Sequence, residues 1–179
     1  RRRTILRYWA NCSWIDSMID QVLARLRETH TLDNALIIYL SDHAEMLGER
    51  YFRFSKYCLY EGSVRVPLIL TGSALPSTMR GSIDQRPAEL VDVMPTILEA
   101  AGIPAPTALP GSSLFSPPIR TGSFSEHHHA PFPAYMWRTD SAKLILYTVN
   151  PSGGHDASQS GYRGELYDLE RDPGEWVNL

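Results

Sequence analysis

The sequence predicts an α/β fold with helices layered against a sheet and a small antiparallel sheet at its C-terminal end. Three observations predict it: an amphipathic helical pattern over residues 5–26, two short apolar runs at 35–40 and 66–72, and strand-like runs after residue 121. With 179 residues, of which 43% are hydrophobic, the chain is long enough to bury a core.

The overall charge and hydropathy exclude several classes of partner. A formal net charge of −3 gives no electrostatic basis for binding nucleic acid. No apolar stretch is long enough to predict a membrane span. The two cysteines, Cys12 and Cys58, do not form a disulfide framework, and they leave the redox compartment and the localisation open.

The first predicted helix rests on apolar side chains that recur at helical spacing. They are Ile5, Trp9, Cys12, Ile15, Ile19, Val22 and Leu26. Polar side chains fill the other faces, so this helix needs a partner surface. Turn-forming residues at 31–34 follow it.

Two strands are predicted from apolar runs. Residues 35–40, "ALIIYL", are almost unbroken in hydrophobicity, which is typical of a strand buried on both faces of a parallel sheet. Residues 66–72, "VPLILTG", predict a second buried strand.

The next helix is predicted to begin with Asp92 as its N-cap and to end near Ala101. Pro95 is tolerated in the first turn, and Gly102 is a C-terminal stop. A loop rich in Pro, Gly and Ser follows at 103–122.

The C-terminal part changes to short strand-like runs that turns separate. They lie at 121–126, 134–139, 143–149 and 164–169, with a hairpin connection at 140–142. We predict an antiparallel sheet of about four strands, packed beside the α/β layer. The predicted organisation is therefore a part of an α/β domain at 1–120 and a small antiparallel subdomain at 121–179.

Asp42 and His43 directly follow the first predicted strand. In parallel α/β sheets the loops after the strands converge on a ligand-binding crevice, and a carboxylate with an imidazole can bind a divalent cation. Two ligands are too few for a working site, and on these residues alone a helix cap with a loop histidine is the simpler interpretation. Lys56 offers a compact positive charge suited to sulfate or phosphate, although a lone loop lysine is usually solvated.

Five ordered segments carry a resemblance to a known family. They are "SDHAEMLGER", "KYCLYEGSVRVPLIL", "VDVMPTILEAAGIPAP", "LPGSSL" and "ELYDLERDPGEWVNL". Together they resemble the C-terminal half of the sulfatase family, in the alkaline-phosphatase-like superfamily, over almost the whole chain. The resemblance implies a partial alkaline-phosphatase/sulfatase-like sheet layered with helices.

The resemblance also implies a site. Asp42 and His43 match the family's ligands of a divalent cation, usually Ca²⁺, with Mg²⁺ or Mn²⁺ as alternatives. His43 is thereby also a catalytic candidate, as a donor to the bound oxyanion. Lys56 matches the lysine that contacts the sulfate, so it is implied as a catalytic and substrate-binding residue. His127, within "EHHHA", is implied as a substrate-pocket residue, since consecutive side chains on a strand alternate and cannot all bind one metal.

Several positions depart from the family pattern. Ala44, Tyr51 and Ser55 stand where the family commonly has glycine, so we expect backbone strain at Ala44 if that position requires a positive φ. Glu61 and Arg65 match family positions as well, and we predict that an ion pair between them pins the loop.

The family's nucleophile is a formylglycine made from Cys or Ser in a Cys/Ser-x-Pro-x-Arg motif. Neither Cys12 nor Cys58 has that context, so the formylglycine and two further aspartate ligands are expected upstream of Arg1. We therefore expect this chain alone to be inactive, to bind Ca²⁺ weakly and to self-associate through exposed sheet surface.

The function implied for the parent protein is hydrolysis of a small-molecule or carbohydrate sulfate ester. Two alternatives stay open: a phosphonate monoester or phosphodiester hydrolase of the same superfamily, and a non-catalytic binding module.

Overall fold

The computed structural model describes residues 1–117, 120–128, 133–149 and 161–179 as a mixed α/β structure with small antiparallel sheets. Its α-helices are α1 (Arg2–Glu28), α3 (Glu61–Val64) and α4 (Val93–Ala100), and a single turn labelled α2 (Glu49–Phe52) has non-helical backbone angles at Arg50 and Tyr51. Its strands are β1 (Ile37–Leu40), β2 (Met46–Leu47), β3 (Phe54–Ser55), β4 (Leu68–Thr71), β5 (Ser123–His127), β6 (Ala134–Arg138), β7 (Ala142–Val149) and β8 (Gly161–Asp168). Short 3-10 helices cover Thr31–Asn34, Ser77–Met79 and Leu90–Asp92.

Helix α1 confirms the helix predicted from the apolar spacing. None of its residues is buried, and large side chains such as Trp9, Trp14 and Val22 are each about 60% exposed (61%, 64% and 59%). An apolar face of this size gives the predicted self-association a physical basis, and self-association stays a prediction. No helix in the described part of the chain combines the length and the hydrophobicity needed to cross a membrane.

Strands β1 and β4 form where the two apolar runs predicted strands, but the parallel arrangement was wrong. The two strands pair antiparallel, with Ile37 opposite Thr71 and Leu40 opposite Leu68, in a two-stranded sheet. The strands are half-buried to exposed rather than buried on both faces. An apolar run indicates that a strand tends to be buried, whereas its direction depends on the path of the chain between the strands.

Helix α4 forms as predicted, and Gly102 ends it in the left-handed conformation with a φ of 69°. Asp92 stands at the N-cap position as predicted, but its side chain makes no capping hydrogen bond to this helix. Its buried carboxylate accepts the Glu89 N–H at 2.8 Å, in the capping box of the preceding 3-10 helix, and the Ser112 N–H at 2.9 Å, and it pairs with Arg120 at 2.7 Å. Through Ser112 and Arg120 it anchors the loop that follows the helix.

The predicted four-stranded antiparallel sheet is confirmed, in the order β5-β6-β7-β8. The hairpin predicted at 140–142 joins β6 to β7, and the Thr139 N–H donates to the Ala142 carbonyl at 2.8 Å. Met136 and Ile145 are cross-strand partners that point to the buried face.

The hydrophobic core connects this sheet to the segment around β2 and α3. Its buried members are Met46, Leu59, Tyr60, Ala134, Met136, Ile145, Tyr167 and Leu169. The division into 1–120 and 121–179 stays a prediction, and the core draws residues from both of these ranges.

A buried ammonium group lies beside this core. The Lys143 side chain is fully buried, and its Nζ lies 2.6 Å from Glu61 Oε1, 2.8 Å from Glu175 Oε1 and 3.2 Å from the Leu59 carbonyl oxygen. Glu175, itself buried, also accepts the Glu61 N–H at 2.8 Å. One cation therefore joins the loop before α3, strand β7 and the C-terminal segment.

The predicted ion pair between Glu61 and Arg65 is present, but it is not the contact that holds this loop. Its atoms lie 4.0 Å apart and the Arg65 side chain is 75% exposed, so the pair contributes little to stability. Burial alone would raise the pKa of Glu61, but the charges of Lys143 and Arg138 outweigh it and hold that pKa below its usual value. The carboxylate is therefore ionised and held by the sheet.

We expect Lys143→Met to lower the free energy of unfolding by about 3–5 kcal/mol, because it leaves the buried Glu175 without its cation and leaves Glu61 with Arg138 alone as a close cation. Arg65→Met is the matched control and should change that free energy by less than about 0.5 kcal/mol. Urea denaturation of both variants measures the difference. Equal losses in the two variants would contradict the role assigned to Lys143.

Candidate active site

The hairpin of β2 and β3 brings the predicted site segments together. Met46 pairs with Ser55 and Leu47 with Phe54, so the chain before β2 and the chain after β3 leave the same end of the hairpin. Asp42 and His43 belong to the first of these segments, and Lys56 begins the second. They do not follow a central parallel strand, as predicted, because β1 pairs with β4 alone and antiparallel.

Ser63 connects these two segments through hydrogen bonds. It is 2% exposed, its carbonyl accepts the Ala44 N–H at 2.8 Å, and its hydroxyl donates to the Lys56 carbonyl at 2.6 Å. The first turn of α3 supplies it, and this turn begins at Glu61, which Lys143 holds. Sequence reasoning missed Ser63, because the family pattern leaves its position unspecified.

Asp42 and His43 face one another. Asp42 Oδ2 lies 3.6 Å from His43 Nε2, and Asp42 Oδ1 accepts the His43 N–H at 3.0 Å. His43 Nδ1 lies 3.1 Å from the Ala44 carbonyl oxygen, which can only accept, so Nδ1 carries the proton. In the neutral ring, Nε2 therefore presents a lone pair towards the Asp42 carboxylate.

This pair fits part of a cation site. A lone-pair nitrogen and a carboxylate oxygen 3.6 Å apart can both ligate one divalent cation between them. The Asp42 side chain is 82% exposed and free to take that position. Within the described ranges no third His, Cys, Asp or Glu completes a cluster with this pair.

His127 lies close to the Lys56 segment. Its ring is 6.2 Å from the ring of Tyr57, the residue that follows Lys56. His128 turns elsewhere, with Nε2 3.2 Å from Glu126, and His129 of the same run lies outside the described residues. The structure thus brings His127 next to Tyr57, the neighbour in sequence of Lys56, the predicted sulfate-contacting residue.

Positive φ angles occur near the site, but not where strain was expected. Ala44 is not among the residues with positive φ, so the expected strain there was wrong. Tyr51 and Ser55 have φ values of 60° and 81°, and both stand at positions where the family commonly has glycine. At these two positions the backbone has a conformation that favours glycine, although the residues carry side chains. Each such residue lowers the free energy of unfolding by about 1–3 kcal/mol.

An aromatic cluster around Arg50 attaches the hairpin to β8. The guanidinium carbon of Arg50 lies 4.3 Å from the Tyr60 ring and 5.1 Å from the Tyr167 ring, and Nη2 donates to the Tyr167 hydroxyl at 3.0 Å. Glu165 accepts the Tyr60 and Tyr167 hydroxyls. Burial, followed by hydrogen bonding to Glu165, raises the pKa of Tyr167, so that phenol stays protonated. Sequence reasoning missed this cluster, because Glu165 and Tyr167 lie more than a hundred positions away from Arg50 and Tyr60.

We expect Ser63→Ala to cost about 1–2 kcal/mol in the free energy of unfolding, because it removes a buried hydroxyl that donates to Lys56. Hydrogen exchange over residues 41–47 should become faster. Ser82→Ala is the matched control: its hydroxyl also donates to a carbonyl, that of Met79 at 2.7 Å, but it is exposed. If the two variants lose equal stability and leave exchange unchanged, Ser63 does not join the segments.

Comparison with known proteins gives a consistent result. The sulfatase family model matches residues 2–103. Arylsulfatase K from Danio rerio is 32% identical over 184 residues, covering 96% of this chain and 33% of the relative. Choline-sulfatase from Rhizobium meliloti is 32% identical over 189 residues, covering 99% of this chain and 33% of the relative. The chain thus spans about a third of the length of these curated relatives.

Solved structures show the same fold over part of their chains. A crystal structure described as a sulfatase, from Bacteroides thetaiotaomicron, matches with a TM-score of 0.64 and 24% identity, over 80% of this chain and 31% of the other. A second structure, described as a 2-O GAG sulfatase, matches with a TM-score of 0.58 and 23% identity over the same shares.

Proposed function

Because this chain belongs to the sulfatase family, we propose that its parent protein hydrolyses sulfate esters of a small molecule or a carbohydrate. The observation that carries the proposal is the arrangement of Asp42, His43 and Lys56 at one end of the β2–β3 hairpin, linked through Ser63. Related proteins named for aryl and choline sulfates support the reaction class.

In this proposal Lys56 binds a non-bridging oxygen of the sulfate. Its ammonium is a point charge, which suits a tetrahedral oxyanion whose charge grows in the transition state. The hydroxyl of the buried Ser63 donates to the Lys56 carbonyl oxygen. This hydrogen bond fixes the main chain from which the Lys56 side chain extends. His127, beside Tyr57, borders the space for the rest of the ester.

Asp42 and His43 would hold a divalent cation, Ca²⁺ in our proposal, through Oδ2 and Nε2. When bound, the cation screens the negative charge of the sulfuryl group. The Ala44 carbonyl keeps the His43 proton on Nδ1, so that Nε2 remains available as a ligand. The nucleophile in this proposal is a formylglycine outside these 179 residues.

We expect the full-length protein to hydrolyse 4-nitrophenyl sulfate, and Lys56→Ala to lower kcat/KM by about 10²–10³-fold through the loss of transition-state charge stabilisation. Arg171→Ala removes the same charge from a side chain that is 89% exposed, and it should leave kcat/KM within about twofold. Absorbance at the nitrophenolate band measures both. Faster turnover of 4-nitrophenyl phosphate or of a phosphonate monoester would replace this proposal with phosphoryl chemistry, and no turnover of any ester would favour a binding module.

Removal of the metal with a chelator should abolish this turnover, and added Ca²⁺ should restore it. Asp42→Asn should raise the Ca²⁺ concentration for half-maximal recovery by about tenfold or more, because it removes a charged oxygen ligand. Asp140→Asn, in the exposed turn between β6 and β7, is the matched control and should recover like the unmodified protein. Full activity after chelation would exclude a required cation, and identical recovery of the two variants would exclude Asp42 as a ligand.

A further inference from the structure

A cavity lies at the end of the β2–β3 hairpin that is opposite to the candidate active site. It has a volume of about 450 Å³ and is lined by Arg50, Tyr51, Arg53, Phe54 and Tyr60. This volume lies in the range of small-molecule sites. The loop that joins β2 to β3 forms it, whereas Asp42, His43 and Lys56 stand at the opposite end of the same hairpin. We call it the arginine pocket.

The charge of the arginine pocket is positive. Arg53 has no carboxylate partner within the described residues, and its guanidinium carbon lies 5.5 Å from the Tyr60 ring. Arg50 has one carboxylate nearby, Glu165 at 4.0 Å, and the Tyr60 and Tyr167 hydroxyls already donate to that carboxylate. Two guanidinium groups therefore line the pocket, and Glu165 is a carboxylate near one of them.

Arg50 also has donors that remain unused. Its side chain is only 11% exposed, and its Nε and Nη1 atoms have no hydrogen-bond acceptor in the part of the chain that the structure describes. Enclosed N–H groups of a charged side chain are costly to leave without an acceptor. These enclosed donors leave the charge of Arg50 only partly compensated beside the pocket that it lines.

That turn has an uncommon backbone. Arg50, Tyr51 and Phe52 have φ values of 51°, 60° and 61°, three successive left-handed residues without a glycine. Strain of this kind persists where the surroundings hold it and is concentrated at ligand sites. Here it directs Arg50 inwards against Tyr60, while Tyr51 stays 77% exposed at the rim of the pocket.

We propose that the arginine pocket binds an oxyanion, a carboxylate or a sulfate-type group, attached to a flat ring. Arg53 and Arg50 would bind the anionic group, since guanidinium groups match planar and tetrahedral oxyanions. Tyr51 and Phe54 supply aromatic surface for the ring. The proposal does not rest on the sulfatase activity, because no residue of the proposed catalytic set lines this pocket.

The test is calorimetric titration of the full-length protein with benzoate and with benzenesulfonate, neither of which is a sulfate ester. Both should bind saturably at low salt, and more weakly at high salt because the contact is ionic. Arg53→Gln should weaken both by about tenfold. Arg171→Gln, the charge-matched control, should leave them unchanged, and so should Lys56→Ala, which separates this pocket from the sulfate site.

Two further measurements test the proposal even if the Arg53→Gln variant does not fold. Neutral benzamide should bind at least about tenfold more weakly than benzoate, because it lacks the charge. Tyr51→Ala, at an exposed position, should weaken benzoate more than acetate, because it removes aromatic surface. Unsaturable titration, equal affinity in Arg53→Gln, or loss of binding in Lys56→Ala would each overturn the proposal.

Discussion

The buried ammonium of Lys143 is the interaction on which the rest of this structure depends. A fully enclosed cation is unfavourable unless its surroundings pair it, and here two carboxylates and one carbonyl do so. Its partners come from two distant places: Leu59 and Glu61 lie in one segment, and Glu175 lies 114 positions beyond Glu61. Satisfying one charge therefore requires the loop, the sheet and the C-terminal segment to meet.

The Lys143 ion pairs are connected to the candidate active site through helix α3. Glu61 begins α3, Ser63 follows within its first turn, and Ser63 holds the backbones of Ala44 and Lys56. The four-stranded sheet thus supports the site segments and is more than an appendage to the α/β layer. The role proposed for Lys56 requires a rigid support of this kind, since small displacements of a charged group reduce its effect.

The Arg50 cluster attaches the same hairpin at its other end. The Arg50 guanidinium stacks on the rings of Tyr60 and Tyr167, and hydroxyl groups of the cluster donate to Glu165. The partly enclosed cluster is therefore held by both cation–π contacts and charge. The two attachments differ in their surroundings. Three oxygen atoms surround the Lys143 ammonium, whereas Arg50 lines a cavity, which is why the second place leads to a proposed ligand site.

The sequence by itself determined the features that depend on neighbouring residues. Helical spacing predicted α1, short strand-like runs separated by turns predicted the C-terminal strands, and Gly102 predicted a helix end. Ordered motifs identified the family and indicated Asp42, His43 and Lys56 as candidate site residues. Only the tertiary structure decided the antiparallel pairing of β1 with β4, the partners of Glu61 and Asp92, and the cluster around Arg50. The physical reason is that local patterns report periodicity and tendency to be buried, whereas ion-pair partners and strand direction depend on which distant segments the folded chain brings together. Lys143 illustrates this: as a lysine within a strand it predicts an exposed side chain, and only two distant carboxylates make its burial possible.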